Sequence, residues 1–228
     1  NIQLITLKAV FRTAFFMFKF KPSKNYLEKI DMYKKMHEEG YTEKNGKKVS
    51  EEKSFNGIST VPYAPIIKKI INKNNLSSLL DYGCGKGEFY ENKFTLDNND
   101  YPSFRKFWGI NIDLYDPCYK KHNVLIKEKT YDIVICIDVL EHIPQEDIDV
   151  VLEQISLLSN KYIFLNVGCY EAAALLPNGE NAHINIQEPK WWYDKMLKII
   201  NNRKNLKIIC NCTIVNNGKL KVFPLEFN

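Results

Sequence analysis

The chain of 228 residues has no CxxC pair, although it contains six cysteines. Cys210 and Cys212 are the two closest in sequence, and zinc would need two further ligands that the neighbouring residues do not offer. We therefore expect no metal site. Unpaired cysteines inside apolar runs are typical of reduced thiols, so we also expect a cytoplasmic protein.

The sequence lacks a run of eighteen uncharged residues, so no membrane span is predicted. Residues 2–20 are strongly apolar, but Lys8, Arg12 and Lys19 interrupt them. At 100° per residue these three cations fall on one helix face and leave a broad apolar face opposite. The pattern predicts a helix that docks on its own domain, on a protein partner or on a membrane surface, and it does not separate these partners.

Arginine is scarce, with three residues in the chain, and the 32 Lys and Arg exceed the 27 Asp and Glu by only five charges. An excess this small does not require a nucleic-acid partner or an anionic membrane. We therefore expect a small molecule rather than a nucleic acid as the partner.

The length suits one α/β domain of about 200 residues with a short extension. Residues 22–60 are polar and charged, and they predict a lid that begins with a helix at 25–39. After residue 62 the apolar patterns of helices and strands alternate. We predict two parts, residues 1–61 with the apolar helix and the lid, and a domain over residues 62–228.

The domain pattern predicts a parallel sheet that ends in an antiparallel hairpin. A short apolar strand at 76–82 runs into a glycine loop, and we expect a helix after that loop with free N–H groups at its start. The later elements are strands at 106–114, 131–137 and 161–167, helices at 145–158 and 191–200, and a hairpin of 206–215 with 219–223.

The glycine loop reads Gly83-Cys84-Gly85-Lys86-Gly87, and its spacing excludes two familiar nucleotide loops. A P-loop needs Ser or Thr after the lysine, whereas Gly87 follows Lys86. The dinucleotide motif GxGxxG needs its third glycine at the position of Glu88. A nucleotide-dependent oxidoreductase is therefore disfavoured.

Two segments carry a resemblance to a known family. Leu-Leu-Asp-Tyr-Gly-Cys-Gly-Lys-Gly over residues 79–87 and Asp-Val-Leu-Glu-His-Ile over residues 138–143 resemble motifs of class I S-adenosylmethionine-dependent methyltransferases, in their small-molecule, type 11/12-like branch. The resemblance covers about residues 62–225. It implies a Rossmann-like α/β sheet, mostly parallel with an antiparallel C-terminal hairpin, that binds S-adenosylmethionine and releases S-adenosylhomocysteine.

The resemblance also implies a set of cofactor-binding residues. The glycine loop and Asp81 would hold the amino-acid portion, and Asp116 would bind the ribose hydroxyls, with Asp113 as the second choice; either acid could instead be a solvated loop residue. The full set is Asp81, Tyr82, Gly83, Cys84, Gly85, Gly87, Asp113, Asp116, Ile137 and Asp138.

The family's third strand has little room in this chain. Only fourteen residues separate Asp116 from Tyr131, whereas a parallel crossover takes a dozen or more residues before its next strand begins. We predict that the third-strand region is shortened, and the adenine-contacting residue stays unassigned.

Methyl transfer to a hydroxyl or a protonated amine needs a group that removes a proton, and histidine suits that task near neutral pH. His183 and His142 are the candidates, with Glu141 orienting the acceptor or the base. The alternative is that His142 only orients its helix and that His183 is a plain loop residue. From the lid, His37 could close over the site, as could Phe55, Gly57 and Ser59.

The acceptor class follows from an absence and from one loop. The Asp/Asn-Pro-Pro-aromatic motif of amino-directed nucleic-acid methyltransferases does not occur after the strand at 131–137. The loop 176–188 is rich in Asn, Glu, Gln and His, which suits a polar acceptor. We predict methyl transfer to an O or N atom of a small polar metabolite or sugar; a non-catalytic cofactor-binding subunit and a methyltransferase acting on a macromolecule remain alternatives.

Overall fold

The computed structural model describes residues 21–125 and 129–227. The helix predicted within residues 2–20 lies outside these ranges. The helices are α1 (Lys24–Glu39), α2 (Ala64–Lys73), α3 (Phe104–Trp108), α4 (Ile148–Leu158) and α5 (Pro189–Asn202). The strands are β1 (Tyr41–Glu43), β2 (Lys48–Val49), β3 (Ser78–Tyr82), β4 (Phe94–Leu96), β5 (Asn99–Tyr101), β6 (Asn111–Tyr115), β7 (Tyr131–Ile137), β8 (Ser159–Gly168), β9 (Ala174–Leu175), β10 (Lys207–Asn216) and β11 (Lys219–Phe227).

A six-stranded sheet forms the centre of the molecule, in the order β11-β10-β8-β7-β3-β6. All neighbours from β6 to β10 are parallel, and β10 and β11 form the predicted antiparallel hairpin. In the described part of the chain no strand pairs with the outer edge of β6. The Rossmann-like fold class and the shortened third-strand region are therefore confirmed.

The core lies on both faces of this sheet because β7, one of its two central strands, is apolar except for Asp132. All seven residues of β7 are buried. Trp192 and Met196 of α5 pack with α4 against one face, and Ile67 of α2 and Trp108 of α3 pack against the other. Parallel sheets covered on both faces bury strands of this kind.

The strand predicted at 106–114 is wrong in its first part. Phe104–Trp108 is a short helix that packs the rings of Phe104 and Trp108 in parallel, 4.8 Å apart, because residues four apart lie on one helix face. Gly109, with φ of 69°, ends this helix, and the strand begins at Asn111. Stacking of these two aromatic residues stabilises a helix where the sequence pattern predicted a strand.

The helix expected after the glycine loop is also wrong. A single 3₁₀ turn, Glu88–Tyr90, follows the loop, and the β4–β5 hairpin comes after it. The backbone N–H groups of Lys86 and Glu88 donate to carbonyls of the lid, so they are not free for a ligand. The site therefore has no N-terminal helix end at this position.

The lid is fixed to the domain at both ends of α1. Ser23 caps α1 by accepting from the N–H of Tyr26, and its own N–H and hydroxyl donate to the two carboxylate oxygens of Asp147, at 2.9 and 2.6 Å. After α1, strand β1 pairs with both β2 and β9. The boundary between the two predicted parts at residue 61 stays a prediction. No described helix has the length and apolarity needed to cross a membrane.

Candidate active site

A cavity of about 400 Å³ lies at the carboxyl ends of β3, β6 and β7, under the lid. The carboxyl ends of parallel strands are the usual place for a ligand in open α/β sheets. Lys29, Tyr33 and His37 line the cavity from α1, because their spacing of four puts them on one helix face. The cavity has two ends, which we name after the roles predicted from the sequence. The cofactor end contains Gly83, Gly85 and Asp116, and the acceptor end contains His142 and His183 together with Asp138, which the sequence assigned to the cofactor.

The glycine loop turns sharply at the cofactor end. Gly83 has φ of 89°, and a Cβ at this position would lie 2.3 Å from a methyl carbon of Val139. Gly85 has φ of 59°, and a Cβ there would lie 2.2 Å from the carbonyl oxygen of Phe55. Real Cβ atoms do not approach so closely, and L side chains avoid these φ values. Both positions therefore require glycine.

The lid rests on the glycine loop through backbone hydrogen bonds. The N–H of Lys86 donates to the carbonyl of Phe55 at 2.7 Å, and that of Glu88 donates to the carbonyl of Asn56 at 3.1 Å. Phe55 itself has φ of 48°, in the left-handed region that non-glycine residues seldom occupy. Strained backbone of this kind is common where a chain covers a site.

Asp116 links the end of β6 to the glycine loop. Its two carboxylate oxygens accept from the N–H groups of Gly85 and Cys118, each at 2.8 Å. Burial raises the pKa of Asp116, although the hydrogen bonds from Cys118, Gly85 and Tyr119 oppose this. The carboxylate lines the cavity and keeps lone pairs for further donors.

Seven of the ten predicted cofactor-binding residues line the cavity, and three do not: Asp81, Gly87 and Asp113. Asp81 is buried beneath the loop, where it accepts from the hydroxyl of Tyr90 at 2.6 Å. Asp113 pairs with Lys129 at 2.6 Å and accepts from Tyr131 at 2.7 Å. The roles of these three residues on a cofactor stay predictions.

At the acceptor end, the carboxyl groups of Asp138 and Glu141 lie next to each other. Asp138 has φ of 61° and accepts from the hydroxyl of Ser59 at 2.8 Å. Glu141 is fully buried, and it accepts from the N–H of Gly168 through Oε1. Burial and the neighbouring Asp138 raise the pKa of Glu141 well above its ordinary value. Burial also favours a raised pKa for Asp138, but His142 and hydrogen bonds from Glu141 and Ser59 outweigh it and leave this pKa low.

The ring of His142 is held by its Nδ1 atom. This atom lies 2.8 Å from the hydroxyl of Tyr33 and 3.0 Å from the carbonyl of Ala182, and the Tyr33 hydroxyl donates to the same carbonyl at 2.6 Å. The Tyr33 hydroxyl donates its only proton to the carbonyl of Ala182. The hydrogen bonds between the His142 ring and these two oxygen atoms therefore need a proton on Nδ1 of His142. This tautomer leaves Nε2 without a proton.

The ring of His183 is also held by its Nδ1 atom. Its Nδ1 donates to the carbonyl of Tyr170 at 2.5 Å, so its Nε2 is also unprotonated when the ring is neutral. Burial, helped by the nearby His142, lowers the pKa of His183 to about 4, and burial lowers that of His142 as well. Both rings are therefore neutral at pH 7, with ring centroids 4.8 Å apart.

His37 extends the cavity wall from the lid. Its ring packs against Phe55 and Tyr119, with centroids 4.7 and 5.4 Å away. Burial, together with Lys86, lowers the pKa of His37 to about 4. Its Nδ1 is buried and has no hydrogen-bond partner among the described residues.

Two functional residues were not found from the sequence. Tyr33 sets the tautomer of His142, and the carbonyl of Tyr170 sets that of His183. The spacing of Lys29, Tyr33 and His37 along α1 was the available signal for Tyr33, whereas a backbone carbonyl leaves no signal in the sequence.

Comparison with known proteins gives one family. The model of the family described as methyltransferase domain matches residues 55–200, which is more than half of the chain. No curated protein and no solved structure matches significantly. The matched range begins at Phe55, so it includes the lid segment over the glycine loop as well as β3 to α5. The chain belongs to the methyltransferase domain family and is a class I S-adenosylmethionine-dependent methyltransferase.

Proposed function

We propose that the protein binds S-adenosylmethionine at the cofactor end of the cavity and methylates an oxygen or nitrogen atom of a small polar acceptor at the other end. The observation that carries this proposal is the continuity of one cavity from Gly85 and Asp116 to His142 and His183. A methyltransferase must hold its two substrates in line within one site, because alignment supplies much of the rate.

The residues at the cofactor end fit this cofactor. The Asp116 carboxylate accepts two N–H groups and has lone pairs left for the ribose hydroxyls. Gly83 and Gly85 allow the loop to turn tightly beneath Val139 and Phe55, which places its backbone in the cavity wall. When bound, the cofactor supplies a methyl group on a positively charged sulfur.

The shape of the cavity supports a small acceptor. Its volume of about 400 Å³ lies within the range of small-molecule pockets. Because cofactor and acceptor share this volume beneath α1, the acceptor has to be small. The polar groups of Ser59, Asp138 and the two histidines suit hydroxyl or amine groups.

The histidines supply the proton acceptor in this proposal. A neutral ring whose Nδ1–H is held by a carbonyl presents a free Nε2, which can take a proton from the acceptor. Either His183 or His142 would act in this way. Glu141 does not line the cavity, so it would orient its neighbours from behind.

Binding calorimetry tests the cofactor assignment. We expect the full chain to bind S-adenosylmethionine and S-adenosylhomocysteine and to ignore NAD. Failure of a demonstrably folded protein to bind either compound would contradict the proposal. Binding of NAD alone would favour an oxidoreductase instead.

A turnover assay tests the acceptor. Formation of S-adenosylhomocysteine would be followed over a panel of polar metabolites and sugars, and His183→Gln and His142→Gln would be compared on any acceptor found. Loss of a general base lowers turnover by about a hundredfold or more. Tight cofactor binding without turnover on the whole panel would favour the non-catalytic subunit.

A further inference from the structure

Four side chains with metal-ligating atoms converge at the acceptor end. They are Asp138, Glu141, His142 and His183, and one oxygen or nitrogen atom of each lies within 4.8 Å of the others. Ligands of one cation in bonds of about 2.0–2.2 Å lie within about 4.4 Å of each other, so this grouping needs little movement to close on an ion.

The two histidines have the orientation of metal ligands. Each ring is anchored through Nδ1 to a backbone carbonyl, that of Ala182 for His142 and that of Tyr170 for His183. Histidines that bind metals almost always donate their other ring N–H in this way, because the bond fixes the ring and leaves the free nitrogen directed at the ion.

Glu141 provides an independent observation. Its side chain is fully buried and its Oε2 has no hydrogen-bond donor among the described residues, although Oε1 accepts from Gly168. Buried polar atoms are normally paired, and an unpaired one needs an explanation. No described lysine or arginine forms an ion pair with Glu141 or with its neighbour Asp138. Glu141 donates a hydrogen bond to Asp138, but neither of these adjacent carboxyl groups has a basic side chain of the described residues as a countercharge.

We propose that Asp138, Glu141, His142 and His183 bind a divalent first-row transition-metal cation at the acceptor end of the cavity. Two imidazole nitrogens favour cations such as Mn²⁺, Co²⁺ or Zn²⁺ over Mg²⁺ and Ca²⁺, which prefer oxygen ligands alone. The cation binds the free Oε2 of Glu141 and supplies a positive charge beside the two carboxyl groups.

The arrangement leaves the cation open on one side. Glu141 closes the site from behind, whereas Asp138, His142 and His183 line the cavity, so the remaining coordination positions face the acceptor. An acceptor oxygen bound there is polarised by the cation. This inference rests on the proposed function for the identity of the acceptor end, and it makes the two histidines ligands instead of proton acceptors.

Cobalt is the probe that reports both stoichiometry and ligand type. The full chain, without a polyhistidine tag and freed of metal by a chelator, is titrated with Co²⁺ while its visible d–d absorption is recorded. We expect saturation at one equivalent and displacement by Zn²⁺. Sulfur-to-metal charge-transfer absorption would mean that the six cysteines bind the metal, and it would overturn the proposal.

Matched variants assign the ligands. His142→Gln, His183→Gln and Glu141→Gln should each weaken Co²⁺ binding at least tenfold, whereas His122→Gln, which changes a histidine outside the cluster, should leave it unchanged. Glu141→Gln keeps an oxygen for the N–H of Gly168, so it preserves the fold if a histidine variant does not. Parental Co²⁺ affinity in folded Glu141→Gln, or no saturable binding by the parent, would overturn the inference.

Calorimetry on the same preparations separates this inference from the proposed function. A chain that binds S-adenosylmethionine but no Co²⁺ contradicts the metal site alone. A chain that binds Co²⁺ through the four residues but no S-adenosylmethionine contradicts the proposed function alone. Full turnover in excess chelator would contradict a role of the metal in the reaction and would favour the histidines as proton acceptors.

Discussion

The backbone N–H of Lys86 donates to the carbonyl oxygen of Phe55 at 2.7 Å, which joins the glycine loop to the lid. Gly85 lies directly beneath this contact. The lid and the glycine loop therefore form one hydrogen-bonded unit around the cofactor end, so a change in the loop also affects the lid.

Gly85→Ala should disrupt this unit. The new Cβ would lie 2.2 Å from the Phe55 oxygen and would also strain φ at 59°. We expect the free energy of unfolding to fall by about 2–3 kcal/mol, because a steric clash adds to a backbone penalty of about 1 kcal/mol. Urea denaturation measures the loss, and calorimetry should find weaker binding of S-adenosylmethionine.

Gly109→Ala is the matched control for backbone strain. Gly109 has φ of 69°, close to that of Gly85, but a Cβ there would meet nothing within 4 Å. The free energy of unfolding of Gly109→Ala should therefore fall by only about 1 kcal/mol. Equal losses in the two variants would mean that the contact between loop and lid contributes nothing.

Asp116→Asn should weaken cofactor binding more than any change at Asp113. An amide in place of the Asp116 carboxylate puts an NH₂ group against the N–H of Gly85 or Cys118 and removes one acceptor from the cavity wall. Loss of a hydrogen bond to a charged group costs about 1.5–3 kcal/mol, or at least about tenfold in affinity. Calorimetry with S-adenosylhomocysteine measures the change.

Asp113→Asn is the control, because Asp113 faces Lys129 and Tyr131 and does not line the cavity. The affinity of Asp113→Asn for S-adenosylhomocysteine should stay within about twofold of the parent value. If Asp113→Asn weakened binding and Asp116→Asn did not, the ribose assignment would move to Asp113.

The sequence was sufficient for the sheet and the loop because both depend on local patterns. The apolar run at Tyr131–Ile137 and the turn at Asn217-Gly218 correspond directly to β7 and to the hairpin. Residues 106–108 were wrongly predicted as strand because the helix is packed through Phe104 and Trp108 against Tyr90 and Phe94 of other elements, which is a tertiary effect. The partners of His142 were missed because Tyr33 lies 109 residues away in the chain.

Asp147→Ala should release the lid from the domain. The Asp147 carboxylate accepts both the N–H and the hydroxyl of Ser23, and it is buried. Loss of these bonds costs about 1–3 kcal/mol locally. Hydrogen exchange should therefore become faster in α1, while the amides of β7 keep their protection.

Asp149→Ala serves as the comparison for the lid. Asp149 is half-exposed and pairs only with Lys195 and Lys198 in the described structure, so exchange in α1 should not change. Because Tyr33 and His37 of α1 line the cavity, the Asp147 variant should also bind S-adenosylmethionine more weakly. Unchanged exchange in α1 would mean that Ser23 does not anchor the lid.

Asp81 should make stability depend on pH between about 4 and 7. Burial raises the pKa of Asp81 to about 7, helped by Asp116 and opposed by the hydrogen bond from Tyr90. In this range the folded chain keeps the proton while the unfolded chain, with an ordinary pKa near 3.8, has lost it. The Asp81 contribution to stability is therefore complete below pH 4 and is lost as the pH rises to 7.

The free energy of unfolding, measured in urea at pH 5 and pH 8, isolates this contribution when Asp81→Asn is compared with the parent. From pH 5 to pH 8 the parent should lose at least about 1 kcal/mol more than Asp81→Asn, which cannot titrate. The buried histidines titrate equally in both proteins, so their effects cancel. Asp113→Asn should behave as the parent, because Lys129 and Tyr131 keep the pKa of Asp113 low despite its partial burial. An identical pH dependence in Asp81→Asn and the parent would mean that Asp81 is ionised beneath the loop at pH 5, where it could face a cofactor as a charged group.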